Sequence, residues 1–523
     1  MVDVGLLIAL VCALTACSSA GPSNAPQSMP TRAQGKTGAP RHVPTIVGQP
    51  TVTRSPNRPA PPPGPLPAAG APLGTAHPYV LVATSAERRW TVLCQARADT
   101  TGDGVIEDRI GIHGETRGDE MVPYLVMGRG EGELIDDYVA SDPKGRWLAI
   151  VQDDALLLID SATGQRHDLS VHGADSSNDG SPFGGFRGGS FDDAGRLFAY
   201  VRNREGGRAV VIRDLGTQEE TEIDPGPGLL HRSFIDGGGQ FVVIEMVVRD
   251  TDGNGRVEPP TPRTSLSRSR CRGPIRSYST SGVSGDEPET RVGRVGEDHV
   301  RPIPGLVRTF GERLIVRGAD GGLGVRMWAG EPEPWVPASC QPDLVAIYPS
   351  ADRMIVTCGA LSAPQRAIVH AGQFQALAAG ERAGSIGPLR IDARLYPAYS
   401  QRTLDVVDLQ TGTIHHRRAT YVANHGTRVL IGERNDLVSW EPTTGQLVRT
   451  PVGRRPRGGF AQQGQLVAIW GVLFDLEQNR VAGHYDGNPL ALSLDAHLLV
   501  ATTPAPTDTN VIPSGPLEWR PAH

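Results

Sequence analysis

The chain of 523 residues is poor in aromatics, which make up 5% of it, and its net charge is only −6. Near-neutrality removes any electrostatic case for nucleic acid, whose capture rests on clustered positive charge. Familiar signatures of catalysis are missing as well. There is no G-x-S-x-G nucleophile turn, no H-E-x-x-H, no glycine-rich phosphate loop and no C-x-x-C. Long helical periodicity is excluded, because 64 glycines and 44 prolines interrupt nearly every stretch of about a dozen residues. The apolar run Val4–Ala13 is too short for a membrane-spanning helix, which needs roughly 20 residues.

What the first residues do contain is a leader pattern. The run Val4–Ala13 has the length of a signal h-region and is followed by small residues. The four residues after it, Leu14-Thr15-Ala16-Cys17, resemble the lipobox of bacterial lipoproteins, although Asp3 stands where a positive n-region is usual. That resemblance implies a signal peptide over 1–16, cleavage before Cys17, and lipidation of Cys17. It also implies attachment to the cell envelope, with Ser18 directing the protein to an outer membrane.

Residues 18–76 hold 14 prolines, five Lys or Arg and no Asp or Glu. They show neither strand nor helix periodicity, and Pro59–Pro65 has polyproline composition. Such a segment buries too little apolar surface to repay ordering, so 17–76 reads as a lipidated cysteine followed by a disordered linker.

From His77 onward the texture is short strands and turn dipeptides. Three units, Asp142-Pro-Lys-Gly-Arg-Trp147, Asp192-Asp-Ala-Gly-Arg-Leu197 and Asp236-Gly-Gly-Gly-Gln-Phe241, each place an acid and a glycine before an apolar strand. Their glycines, Gly145, Gly195 and Gly239, lie 50 and 44 residues apart. A second pattern is an apolar strand followed by a glycine hairpin, as in Leu156–Gly164, Val210–Gly216, Leu404–Gly412 and Leu437–Gly445. Recurrence every 40–50 residues marks blades of four antiparallel strands. The two patterns resemble the propeller repeats of TolB-like and WD40-like proteins, most clearly over 134–250 and 404–450. The resemblance implies an all-β propeller over 77–523, with seven blades expected and eight as the alternative.

Two acidic loops carry the best chemical signal. Asp99, Thr101, Asp103 and Glu107 in the first, and Asp250, Asp252, Asn254 and Glu258 in the second, put oxygen-bearing side chains at positions 1, 3, 5 and 9. Calcium takes six to eight oxygens, and a glycine at position 6 lets the carbonyl of Val105 or Arg256 turn inward. An EF-hand would need an acid at position 12, where Ile110 and Thr261 stand. The spacing instead resembles the hairpin calcium loops of integrin-type propellers, and by that resemblance these residues are the ligands of a structural calcium.

Of six cysteines, Cys12 leaves with the leader and Cys17 takes lipid, so Cys94, Cys271, Cys340 and Cys358 remain. An oxidising compartment allows two disulfides in any of three connectivities. Cys340 and Cys358 flank a short turn-and-strand stretch and are paired locally here, which leaves Cys94 for Cys271. The pair His415-His416 lies in a strand, where neighbours point to opposite faces, and makes a poor metal site. Arg263, Arg268, Arg270, Arg272 and Arg276 read as a solvated insertion, and Trp328 and Trp335 as packing between blades. The expected function is a non-enzymatic module binding an envelope protein or surface ligand. The alternative is a calcium-dependent propeller hydrolase or lyase, and a purely structural envelope protein is the third reading.

Overall fold

A computed structural model describes residues 79–96, 121–128, 132–172, 189–205, 207–257, 261–262, 283–284, 286–348, 352–359, 365–370, 372–377, 390–391, 394–399, 403–433, 436–452, 460–501 and 517–522. Apart from one two-stranded ribbon, their strands form ten antiparallel sheets in chain order. Sheets one to five span 79–134, 137–168, 189–223, 229–302 and 306–336. Sheets six to ten span 343–376, 395–417, 420–451, 460–484 and 488–521. The short strand Arg390–Ile391 pairs in parallel with Asp343–Tyr348 of sheet six.

Each sheet is sandwiched between its neighbours, so both of its faces are apolar. In sheet one, Val92 and Leu125 pack on sheet two, while Leu93 and Val126 pack on Leu499 and Trp519 of sheet ten. One apolar cluster fills each of the ten seams, including the seam that joins the last sheet to the first. The central strands therefore read as near-continuous apolar runs, such as Trp147–Val151, all buried. The chain is a β-propeller of ten blades, not the seven or eight expected from the repeat.

The undercount has a physical cause. Among the described residues, only sheets two, three and four use the acid-and-glycine turn between their first two strands. Sheets five, eight and nine close that turn with two residues, with Gly311, Gly426 and Gly464 in the first place at φ +50°, +54° and +55°. Such a turn leaves almost no motif in the sequence.

The acid-and-glycine turns stack from sheet to sheet. Asp142, Asp192 and Asp236 are buried, and each accepts the N–H of the first residue of the next strand, at 2.6 Å from Trp147, 2.8 Å from Leu197 and 2.8 Å from Phe241. A Cβ on Gly195 would lie 2.8 Å from Asp142 Oδ2, and one on Gly239 2.9 Å from Asp192 Oδ2. On Gly145 it would lie 2.7 Å from Ser85 Cα. Each turn glycine is thus the seat for the side chain of the preceding sheet. Cys340 and Cys358 form a disulfide that pins the connection between sheets five and six. Its loop of 18 residues corresponds to about 3 kcal/mol of loop-closure stabilisation.

The two ends of the strands differ. Outside three-stranded sheet seven, connections from first to second and from third to fourth strands are five residues or fewer, and in sheet seven the five-residue hairpin after Asp408 takes the place of the third-to-fourth connection. Every longer connection leaves from the opposite end: 97–120, 173–188, 248–288, 359–364, 377–389, 452–459 and 502–516. We call these the turn end and the loop end.

Gly145 and Gly445 share φ +73°, but a methyl group added to each would meet a neighbour within 4 Å only at Gly145. Gly445→Ala is expected to cost about 1–2 kcal/mol from the left-handed backbone alone. Gly145→Ala should cost at least about 1 kcal/mol more, from overpacking against Ser85. Urea unfolding of both variants checks this, and equal losses would contradict the stacking of turns.

Candidate functional site on sheet four

Seven of the innermost strands carry a one-residue bulge among the described residues. In six of them the extra residue is aliphatic: Val82, Val139, Val307, Val345, Val422 and Leu490. In sheet four it is His231. A bulge re-aims the side chain it carries. Here it brings His231 Nε2 to 4.0 Å from Glu245 Oε2 on the adjacent strand, where Glu245 is the register partner of Arg232. Burial pushes the Glu245 carboxyl up from its ordinary value, and the charge of Arg232 only partly opposes that. Arg232 also lies 4.9 Å from the ring centre of Phe234. An imidazole, a guanidinium and a half-buried carboxyl therefore share one short stretch of the first two strands of sheet four. Such a group can hold a polar ligand or move a proton.

The strand that carries Glu245, Phe241–Val247, runs out at the loop end into the second acidic loop. Asp250 anchors the curl: its Oδ1 accepts the N–H of Gly253 at 2.7 Å and its Oδ2 that of Gly255 at 2.6 Å. Both glycines have positive φ, +75° and +84°. Asp252 Oδ1 accepts the Asn254 N–H at 3.1 Å, and Asn254 Oδ1 accepts that of Arg256 at 2.8 Å.

A residue not foreseen from the sequence completes the loop. Asp286 is fully buried and accepts the N–H of Thr251, the Thr251 hydroxyl at 3.1 Å and the N–H of Asp252 at 3.2 Å. The carboxylates of Asp250, Asp252 and Asp286 each place an oxygen within 4.8 Å of the others. Three hard, negatively charged oxygens so close repel one another, and this donor set suits a hard cation such as calcium. Asp286 lies 28 residues beyond the ninth loop position, outside any spacing rule.

The remaining sequence candidates are dispersed. Asp99, Thr101, Asp103, Val105 and Glu107 lie outside the described residues, as do Cys17, Glu258 and Cys271. Cys94 is buried and disulfide-bonded. His415 and His416 point to opposite faces: His415 meets the edge of Trp440 at 6.5 Å, and His416 Nδ1 lies 2.7 Å from Asp405. Trp328 and Trp335 are buried in the seams on either side of sheet five.

Because burial raises the Glu245 value, the folded state favours the protonated acid. Its stability contribution is present below the ordinary value of 4.5 and is lost as pH rises through the raised one. Glu245→Gln should therefore raise the urea midpoint at pH 7 relative to wild type. That advantage should shrink as the pH is lowered to about 4, and a pH-independent difference would contradict the assignment.

No protein-family model matches the chain, and no curated protein matches it. Solved structures do. TolB from Acinetobacter baumannii is 14% identical, over 49% of this chain and 58% of its own, with a TM-score of 0.22. Dipeptidyl peptidase 4 from Porphyromonas gingivalis is 8% identical, over 70% and 51%, with a TM-score of 0.36. Acylaminoacyl peptidase from Pyrococcus horikoshii is 9% identical, over 78% and 52%, with a TM-score of 0.31. The chain thus spans little more than half the length of each. At these scores the likenesses add nothing to the propeller already read from the sheets, and the peptidase activities remain those of the other proteins.

Proposed function

We propose that the protein is a lipid-anchored, non-enzymatic β-propeller of the cell envelope, binding another envelope protein or a surface ligand at its loop end. The observation that carries this reading is the asymmetry of the ring. Every long connection leaves from one end of the strands, so the long loops are gathered on one side of the sheets that support them. Residues 1–16 would be the signal peptide, Cys17 the lipidated N-terminus and 18–76 the linker, with Ser18 sorting the protein to the outer membrane. Acyl chains contribute about 0.8 kcal/mol per buried CH₂, so several give durable attachment.

In this reading calcium stiffens the insertion of sheet four. Asp250, Asp252, Asn254, Glu258, Asp286 and the carbonyl of Arg256 would hold one ion. Asp99, Thr101, Asp103, Glu107 and the carbonyl of Val105 would hold a second. Cys94 would pair with Cys271. A calcium-dependent hydrolase or lyase is the second reading, favoured by the proximity of His231, Arg232 and Glu245 on the first two strands of sheet four. Turnover of a glycan or lactone panel, lost in His231→Gln, would establish it in place of the first.

Two measurements test the leading reading. Cells fed a labelled fatty acid should label the wild-type chain and not Cys17→Ser; label on both, or on neither, contradicts lipidation at Cys17. Calcium at 100 times its dissociation constant should stabilise the full chain by about 2.7 kcal/mol against thermal unfolding. Asp286→Ala and Asp250→Ala should each lose most of that response, and an unchanged response would remove the metal.

A further inference from the structure

Sheet ten consists of Asn488–Leu492, His497–Ala501 and Leu517–Pro521, and among the described residues nothing pairs with the outer edge of Leu517–Pro521. Sheets one to six, eight and nine each carry a further strand beyond the third. In sheet seven, Ile414–Arg417 fills that outer place after the Asp408 hairpin. Outer strands also help to fill the seams, through Ile223, Val300, Ile414 and Val481. An open edge presents a row of N–H and C=O groups, which folds seldom leave bare. Trp519 lies in the middle of that strand. It is fully buried, and its indole N–H meets no acceptor among the described residues. Buried donors are nearly always satisfied, so both features suit a strand with a neighbour on its outer side.

The connections identify that neighbour. In six of the nine junctions between successive sheets, two to six residues lead from the outermost strand of one sheet to the first strand of the next. These junctions lie at the loop end. Residues that precede a first strand are therefore the outer strand of the sheet before it. Sheet ten precedes sheet one around the ring, because the two share a seam. The first strand of sheet one, Tyr79–Thr84, starts at the loop end. A strand just before it would run antiparallel to Leu517–Pro521.

The sequence there fits the place. Ala71-Pro-Leu-Gly-Thr-Ala76 leaves His77-Pro78 as a two-residue connection, the length found at 135–136 and 418–419. Leu73 is the one large apolar side chain between Pro67 and Pro78. Outer strands of this ring already contain Pro302, Pro334 and Pro451. An edge strand accepts proline where its nitrogen faces solvent. Pro72 would thus turn its nitrogen outward, and alternation would aim the N–H groups of Leu73 and Thr75 at sheet ten.

We infer that Ala71–Ala76 adds to Leu517–Pro521 as the fourth strand of sheet ten, with Leu73 entering the seam. The ring is then closed by backbone hydrogen bonds as well as by packed side chains. These six residues come off the end of the linker proposed above, which would leave the body from the turn end. Given the lipid anchor of that reading, the loop end would face away from the membrane, open to a partner. The strand itself involves neither lipid nor metal, so its failure would leave the tests of Cys17 and Asp286 unaffected.

Hydrogen exchange read by mass spectrometry on the full chain tests it. A peptide covering 68–78 should retain slowly exchanging amides after one covering 40–58 has exchanged fully. Leu73→Asp and Thr75→Pro should each abolish that protection and speed exchange in 517–521, whereas Leu66→Asp should change neither. The inference is overturned if 68–78 exchanges as fast as 40–58 in wild type, even with 517–521 protected, since another chain would then cover the edge. It is also overturned if Leu73→Asp or Thr75→Pro leaves 517–521 unchanged, or if Leu66→Asp acts as they do. The wild-type comparison needs no variant, so it decides even where a variant fails to fold.

Discussion

The packing of sheet ten against sheet one is the contact on which the rest of the propeller depends. Every sheet is apolar on both faces, so an open ring would leave two such faces in water. Closure among the described residues is made by apolar side chains in the seam and by polar contacts at the turn end. Trp519 and Leu499 meet Leu93 and Val126 in the seam. At the turn end, Arg88 pairs with Asp495 and the Leu494 N–H donates to the Ala86 carbonyl at 2.8 Å. The seam joins residues some 400 positions apart in the chain, and such contacts repay their loop-closure entropy late in folding.

Closure separates the two ends of the strands into different tasks. At the turn end, short connections and stacked acid-and-glycine turns hold successive sheets at fixed spacing, and buried aspartates cap the second strands. Part of the charge burial there is compensated locally. Burial raises Asp408, but the hydrogen bonds from Arg394 and the Gln410 N–H outweigh it and leave its value lowered. Asp236 has less help, and burial leaves its value raised. The loop end carries no such stack. There the chain can lengthen without disturbing a seam, and there the acidic insertion of sheet four and the disulfide of sheet six are found.

Much of this architecture is legible in the residues and some of it is not. Gly145, Gly195 and Gly239 announce their turns because a left-handed backbone and a close neighbour both demand glycine. The hairpins after Asp160 and Asp408 are equally plain, since each aspartate caps its own turn by accepting an N–H two residues on, at 2.9 Å. The blade count is hidden, because a two-residue turn at Gly311, Gly426 or Gly464 looks like any Gly-containing hairpin. Half of the acidic loop of sheet four is visible as alternating oxygens, whereas Asp286 joins it only through the fold. His231 is invisible for a related reason. A bulge is a property of strand register, which no single residue announces.

Hydrogen exchange in a Trp519→Ala variant tests ring closure most directly. The substitution removes a fully buried side chain at the closing seam and should cost about 3–5 kcal/mol. If the ring is one closed structure, protection should fall together in 79–127 of sheet one and 488–521 of sheet ten. Loss of protection confined to sheet ten, with sheet one unchanged, would contradict a propeller closed between its first and last blades.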